Sequence, residues 1–232
     1  WNEFKDLPLA DALKHITVGL SDRYRSATEL KTQNKIALIG SPGVGKTTTL
    51  CKFLAHEVFM NKTCPMVLKV ESGVPNPDDA LRIFCEVVGV TLYRQAESVP
   101  QASDDSPLYL DFPGLSLTNL EDWTTTKSTL DDLEVETRVL VVNGAYDKDI
   151  LYKNINTANH LGATHLAITH FDEISNSTKL WPLLLRSNLT PLCICNGQNV
   201  TGDFTTGVLN QMISRTFPEE LYAKGFSSYQ NL

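Results

Sequence analysis

The sequence predicts an α/β fold, a mostly parallel sheet with helices on both faces, preceded by a short N-terminal helical segment. Two observations predict it. From Lys35 onward, short β-branched apolar runs alternate with segments of helical length, the pattern of βαβ units. A glycine-rich loop, Gly40 to Gly45, also lies between the first such run and the first such helix.

The expected strands are Lys35–Ile39, Met66–Val70, Leu108–Asp111, Arg138–Val142, His165–Thr169 and Pro191–Cys195. These runs are continuously apolar and do not alternate, as strands covered on both faces require. The covering helices follow from their end signals. Lys46–Met60 starts directly after the glycine loop, Pro77–Val88 has Asp78 and Asp79 in its first turn and Gly89 just past its end, and Asp147–Leu161 closes at Gly162.

Residues 1–34 read as one or two helices, a separate N-terminal segment with Leu7, Leu13, Ile16 and Leu20 among its apolar positions; the main domain is expected to span 35–232. Gln95–Pro107 is polar, without period, and carries two prolines, so it is expected as an exposed connection. Pro218–Gly225 reads as a closing helix. Trp123 and Trp181 fall in helical segments and are expected to pack in the core.

Composition sets further bounds. With 42% hydrophobic and 20% charged residues the chain has the makeup of a globular protein with a packed core. Its apolar runs are far shorter than the roughly 20 residues that cross a bilayer. A formal net charge of −7 argues against broad contact with nucleic acid or anionic lipid. The five cysteines, Cys51, Cys64, Cys85, Cys193 and Cys195, have no paired spacing and are expected as reduced core residues. His160, His165 and His170 recur every five residues, which matches neither a helical nor a strand face, so no metal site is expected there. The acidic run Asp131–Glu136 reads as a solvated helix end. The chain opens at Trp1 with no leader-like segment, and a longer parent protein is expected.

Chemistry concentrates first in Gly40-Ser41-Pro42-Gly43-Val44-Gly45-Lys46-Thr47, which satisfies GxxxxGK[ST] between an apolar strand and a helix. This is the phosphate loop of P-loop NTPases. Gly40, Gly43, Val44 and Gly45 let successive backbone N–H groups wrap phosphate oxygens, Lys46 adds a point charge, and Thr47, with Thr48 beside it, opens a helix whose N-terminus favours anions. The Thr47 hydroxyl is expected on Mg²⁺.

Asp111 and Gly114 follow in DxxG spacing at the end of a strand. In phosphoryl-transfer sites such an Asp reaches Mg²⁺ and such a glycine the terminal phosphate; a strand end before a Pro-Gly turn is the bland alternative. Thr169-His170-Phe171-Asp172 occupies the place of a guanine-reading segment, in which the Asp172 carboxylate would accept two hydrogens from the guanine edge. A solvated acidic loop is the alternative there.

In this order the elements resemble the signal-recognition-particle (SRP) class of GTPases, and within it the flagellar-biosynthesis FlhF branch most of all. Gly43–Thr49, with its three threonines, is similar to the phosphate loop of that class, and Thr190–Val200, with Gly197-Gln198-Asn199-Val200, resembles its base-side closing segment. The resemblance assigns Asn196, Gly197 and Gln198 to the nucleotide, implies GTP or GDP with Mg²⁺ as ligands, and makes Glu71 and Asp111 the candidate catalytic carboxylates. It also marks departures. Where the family carries arginines, this chain has Val74 and Leu115, and where it carries the base-covering lysine, His170.

An arginine at such a site contributes on the order of 10³–10⁵ in rate. The expectation is therefore a guanine-nucleotide-binding domain with slow or impaired hydrolysis, acting as a nucleotide-dependent switch in flagellar-biosynthesis or protein-targeting processes. The alternative is a pseudo-GTPase interaction scaffold without turnover. The resemblance further implies a cytoplasmic protein, nucleotide-dependent pairing with itself or a related partner, and peripheral attachment to the inner membrane.

Overall fold

The computed structural model describes residues 6–26, 30–71 and 79–217. Val74 and Pro218–Gly225 lie outside them.

Eight strands form one sheet: β1 (Lys35–Ile39), β2 (Met66–Lys69), β3 (Thr91–Tyr93), β4 (Leu108–Asp111), β5 (Thr137–Asn143), β6 (His165–Thr169), β7 (Thr190–Cys195) and β8 (Phe204–Thr205). Their order is β3-β2-β4-β1-β5-β6-β7-β8. All neighbours run parallel except β8, which is antiparallel to β7. The helices are α1 (Leu9–Arg25), α2 (Lys46–His56), α3 (Asp79–Val88), α4 (Leu120–Asp132), α5 (Lys148–His160), α6 (Trp181–Arg186) and α7 (Val208–Thr216). Among the described residues no helix is long and apolar enough to cross a membrane.

Alternate residues of each strand face opposite sides, and each side has its own helices. On one side Leu38, Val67, Tyr109, Val139 and Ala167 pack against Leu50, Phe53 and Leu54 of α2 and Leu81 and Cys85 of α3. On the other, Ala37, Ile39 and Leu110 meet Trp123 and Leu130 of α4. Leu140, Val142, Leu166 and Ile168 there meet α5, α6 and α7 through Leu151, Ile155, Leu183, Leu184 and Met212, with Leu20 and Tyr24 of α1 packed onto the same cluster. This double cover is why the strand runs are apolar throughout.

Six strands fall where the apolar runs predict them, within one residue at either end. β3 and β8 were not expected: at three and two residues on the two edges, they are too short to show a period. The stretch expected as Lys46–Met60 is α-helical only to His56, after which Glu57–Asn61 widens into a π-helical turn that Lys62 ends in the left-handed conformation. Glu57 of that turn accepts from the Tyr109 hydroxyl at 2.9 Å and from Thr63 at 2.7 Å. Asp147 caps α5, its carboxylate accepting from the Asp149 N–H.

The 95–107 connection is mostly exposed and holds only a single 3₁₀ turn at Ala96–Ser98 and a Ser103–Ser106 bridge. Trp123 and Trp181 are buried, each with its indole N–H satisfied, by Ser116 O at 2.7 Å and Thr216 Oγ1 at 2.9 Å. Four cysteines are buried and unpaired as expected, whereas Cys64, in the turn before β2, is exposed. Asp131, in the acidic run, is held by Lys127 and Arg138, both at 2.6 Å, which lower its pKa below the usual carboxylate range.

Candidate functional site

The central strand β1 has β4 on one side and β5 on the other. Chain connections leave in opposite directions from such a strand, and the crevice beyond its C-terminal end is where sheets of this kind bind ligands. The loop 40–45 fills that position. Gly40 passes so close to β5 that a Cβ on it would stand 2.5 Å from the Val141 carbonyl oxygen. Gly45 closes the loop at φ 90°, a left-handed conformation that lets α2 begin without a side-chain cap, so its first N–H groups stay available to an anion.

Lys46 is buried, and its Nζ donates to the loop's own carbonyls, Gly40 O at 3.2 Å and Ser41 O at 3.0 Å. Burial lowers its pKa to about 8, with the nearby Asp111 charge opposing the shift and Lys69 adding to it. The loop is fixed from two directions. Ser41 Oγ donates to Asn154 Oδ1 of α5 at 2.6 Å, and Thr169 Oγ1, at the end of β6, lies 2.7 Å from Val44 O and 3.1 Å from Val142 O.

Thr169 is thus the joint between the phosphate loop and the segment expected to read a base. His170 follows with φ 52°, a costly conformation for a residue with a Cβ, and its Nδ1 lies 2.9 Å from Thr169 Oγ1. That turn carries Asp172 and Glu173 to the cleft rim, both exposed. The opposite wall is the segment after β7. Lys52, on α2 and almost fully buried, donates to three backbone carbonyls there: Gly197 at 2.8 Å, Asn199 at 3.1 Å and Asp203 at 2.7 Å. Asp203 in turn accepts from Asn199 N at 2.9 Å, which closes the turn.

These three segments enclose one cleft of about 600 Å³. Its floor is Gly43, Gly45, Lys46, Thr47 and Thr48, one wall Thr169, His170 and Asp172, the other Gly197 and Gln198. Thr49, Lys52, Glu173 and Cys195 also line it and were not anticipated. Cys195 shares hydrogen bonds with Cys193 and Thr49, which lower its thiol pKa below the usual value.

The other candidate residues lie beneath or beside the cleft. Gly40 and Val44 support the loop from below, Val44 fully buried. Gly114 presses on the loop's outer side, where a Cβ would meet Pro42 Cα at 2.6 Å, and the next residue's N–H, Leu115, donates to Gly40 O at 3.1 Å. Asn196 is half-buried, its N–H bonded to Asp203 O at 3.2 Å. Glu71 is exposed and faces Arg94 at 3.7 Å. Asp111 is fully buried, and Lys69 Nζ reaches its Oδ2 at 2.5 Å. Leu115, where the resemblance has an arginine, is 1% exposed and packs with Phe112, Trp123 and Leu130.

Sequence reasoning missed Lys52 and Lys69. The signal for both was a lysine inside an apolar run, Cys51-Lys52-Phe53 in α2 and Leu68-Lys69-Val70 at the end of β2.

No protein-family model matches the sequence, and no curated protein matches it. Solved structures do. The crystal structure of FlhF complexed with GTP/Mg²⁺ superposes with a TM-score of 0.76 at 19% identity, over 90% of this chain and 88% of that one. The signal recognition particle receptor FtsY from Elizabethkingia anophelis gives 0.69 at 19% identity, over 89% and 72%. Chloroplast FtsY from Physcomitrella patens gives 0.71 at 15% identity, over 90% and 74%. The chain therefore has an α/β P-loop fold of the kind these SRP-type GTPases share.

Proposed function

We propose that this domain binds a guanine nucleotide in the cleft between the phosphate loop and the Thr169–Glu173 turn, and that the bound nucleotide acts as a switch with slow or impaired hydrolysis. The observation that carries the reading is convergence: a phosphate loop and, more than a hundred residues later in the chain, a base-side carboxylate and a closing segment line one cleft. Its volume of about 600 Å³ is in the usual range for a small-molecule site.

Lys46 and the free N–H groups of the loop and of α2 suit the phosphates. Thr47, on the first turn of α2, suits a magnesium ion arriving with them, the ion that FlhF carries in its GTP complex. Asp172 at the rim suits the guanine edge, with His170 beside it in place of a longer cationic stem. Gly197 and Gln198 suit the other face of the base. The FlhF and FtsY likenesses support this choice of nucleotide over an adenine one.

Slow hydrolysis is supported by Leu115. A site that stabilises charge on a transferring phosphate needs a cation aimed at it, and this position holds an apolar side chain sealed in the core. The same observation favours the second reading, a pseudo-GTPase interaction scaffold without nucleotide turnover. A role in flagellar biosynthesis or protein targeting, nucleotide-dependent pairing with a second copy or a related protein, and a cytoplasmic place with peripheral membrane contact belong to the proposal through the likeness to FlhF and FtsY alone.

The test is calorimetric titration of the domain with non-hydrolysable analogues of GTP and ATP. Binding of the GTP analogue in preference to the ATP analogue supports the switch. No binding of either leaves the scaffold as the function. Single-turnover hydrolysis of bound GTP then separates a slow enzyme from an inert one.

A further inference from the structure

His170 stands between the phosphate loop and the base-side carboxylate. Its side chain lines the cleft, and its Cε1 lies 3.7 Å from the point where Gly45, the last residue before α2, would carry a Cβ. The imidazole therefore packs against the backbone whose N–H groups are open to an anion.

The hydrogen bonds around it fix which ring nitrogen carries the proton. Thr169 Oγ1 is 2.7 Å from Val44 O and 3.1 Å from Val142 O, and carbonyl oxygens only accept, so the single hydroxyl hydrogen is committed to them. His170 Nδ1, 2.9 Å from the same hydroxyl oxygen, is then the donor. A neutral imidazole has one N–H, which leaves Nε2 as a bare lone pair. Among the described residues Nε2 has no hydrogen-bond partner.

A lone pair beside a phosphate loop has the wrong polarity, because phosphate oxygens need donors. One proton reverses it: the imidazolium donates from both nitrogens and carries a charge, and the Nδ1 bond to Thr169 is kept. The other ionisable groups lining the cleft are Lys46 and Lys52 from α2, Asp172 and Glu173 from the turn of His170 itself, and the Cys195 thiol from β7. The carboxylates attract a cation at this place and the lysines repel one. A polyphosphate brings further negative charge to the attracting side. We propose that His170 is a phosphate-binding residue that works in its protonated form, so that nucleotide binding takes up a proton from solvent at Nε2 and strengthens as pH falls. The inference rests on the nucleotide reading given above.

The deciding experiment is calorimetric titration of the whole chain with the non-hydrolysable GTP analogue at pH 6, 7 and 8, each in two buffers of different ionisation enthalpy, with Mg²⁺ throughout. Binding about three- to tenfold tighter at pH 6 than at pH 8 is expected. The difference in apparent enthalpy between the two buffers should report net proton uptake. Affinity that does not rise toward pH 6 overturns the inference and leaves the nucleotide reading standing. Absence of binding at all three pH values overturns the two together.

His170→Asn is the matching variant. Asparagine accepts the left-handed φ of 52° and supplies an amide donor where Nδ1 stood, but it has no second nitrogen to protonate. Both the gain in affinity toward pH 6 and the proton uptake should be lost. His170→Lys carries its charge at every pH in the range and should likewise show no gain, which covers the case in which the asparagine disturbs the turn. A pH profile in these variants equal to that of the wild type places the dependence on other groups and overturns the assignment to His170.

Discussion

The Lys52 ammonium group, on the helix that follows the phosphate loop, donates to the Asp203 backbone carbonyl at 2.7 Å on the far side of the cleft. With its bonds to Gly197 and Asn199, this ties the closing segment to the helix that carries the phosphate site. Lys52→Met keeps the stem and removes the donors, so the Gly197 carbonyl loses its ammonium partner while the Asn199 and Asp203 carbonyls are left with one backbone N–H each. A loss of about 2–3 kcal/mol in urea unfolding is expected, together with faster amide exchange across 196–203. Unchanged exchange there would show that the segment is held by something else.

Gly114 lies against Pro42, and any Cβ there is blocked by backbone atoms that cannot swing aside. Gly114→Ala is expected to push the loop off its seat. Stability should fall by about 1–3 kcal/mol, and affinity for the GTP analogue should fall with it. Gly43→Ala makes the contrast, because a Cβ at Gly43 meets nothing within 4 Å and the cost is only that of its φ of 73°. Equal losses of stability in the two variants would mean that the contact with Pro42 is unimportant; affinity is compared for Gly114→Ala alone, because Gly43 lines the cleft floor.

Asp172→Asn tests the base assignment. It retains the shape of the side chain but replaces an acceptor oxygen with a donor, so binding of the GTP analogue should weaken by about tenfold or more while any ATP-analogue binding holds. Asp172 is exposed, so the fold is expected to stay intact, and thermal melting provides the check. Equal loss of both analogues would remove Asp172 from base reading.

His165 gives the molecule an acid limit. The ring is buried at the start of β6, with Nδ1 at 2.8 Å from Thr164 Oγ1 and Nε2 at 3.0 Å from Leu30 O, and burial lowers its pKa from 6.5. The unfolded chain takes up a proton that the folded one resists, so stability is whole above pH 6.5 and falls as pH drops below it. Melting temperatures from pH 8 to pH 5 should show the fall, and His165→Gln should flatten it. A profile of the same slope in that variant would assign the acid loss to other groups.

The sheet was legible because its strands are covered on both sides, which writes each as an unbroken apolar run; β1, β4 and β6 begin and end on the expected residues. The phosphate loop was legible because its backbone path needs Gly40 and Gly45 at fixed places. The cleft was legible in part, since Asp172 and Gly197 could be assigned to a common site only through the resemblance of their segments. What the sequence did not disclose depends on pairing. Lys69 meets Asp111 through the register of two strands separated by a whole crossover, and Lys52 binds backbone carbonyls, which any residue type supplies. Edge strands of two or three residues leave no pattern at all.

Those edges bear on how copies of the chain can meet. An open sheet exposes a row of unpaired backbone groups at each margin, and a long margin is a template for another chain to join by strand addition. Here β3 offers three residues at one margin and β8 two at the other. Neither is long enough to guide a fresh strand into register. Growth into fibres along the sheet is thereby discouraged, and self-association of the folded domain is left to side-chain surfaces, which can be made to depend on what the protein holds.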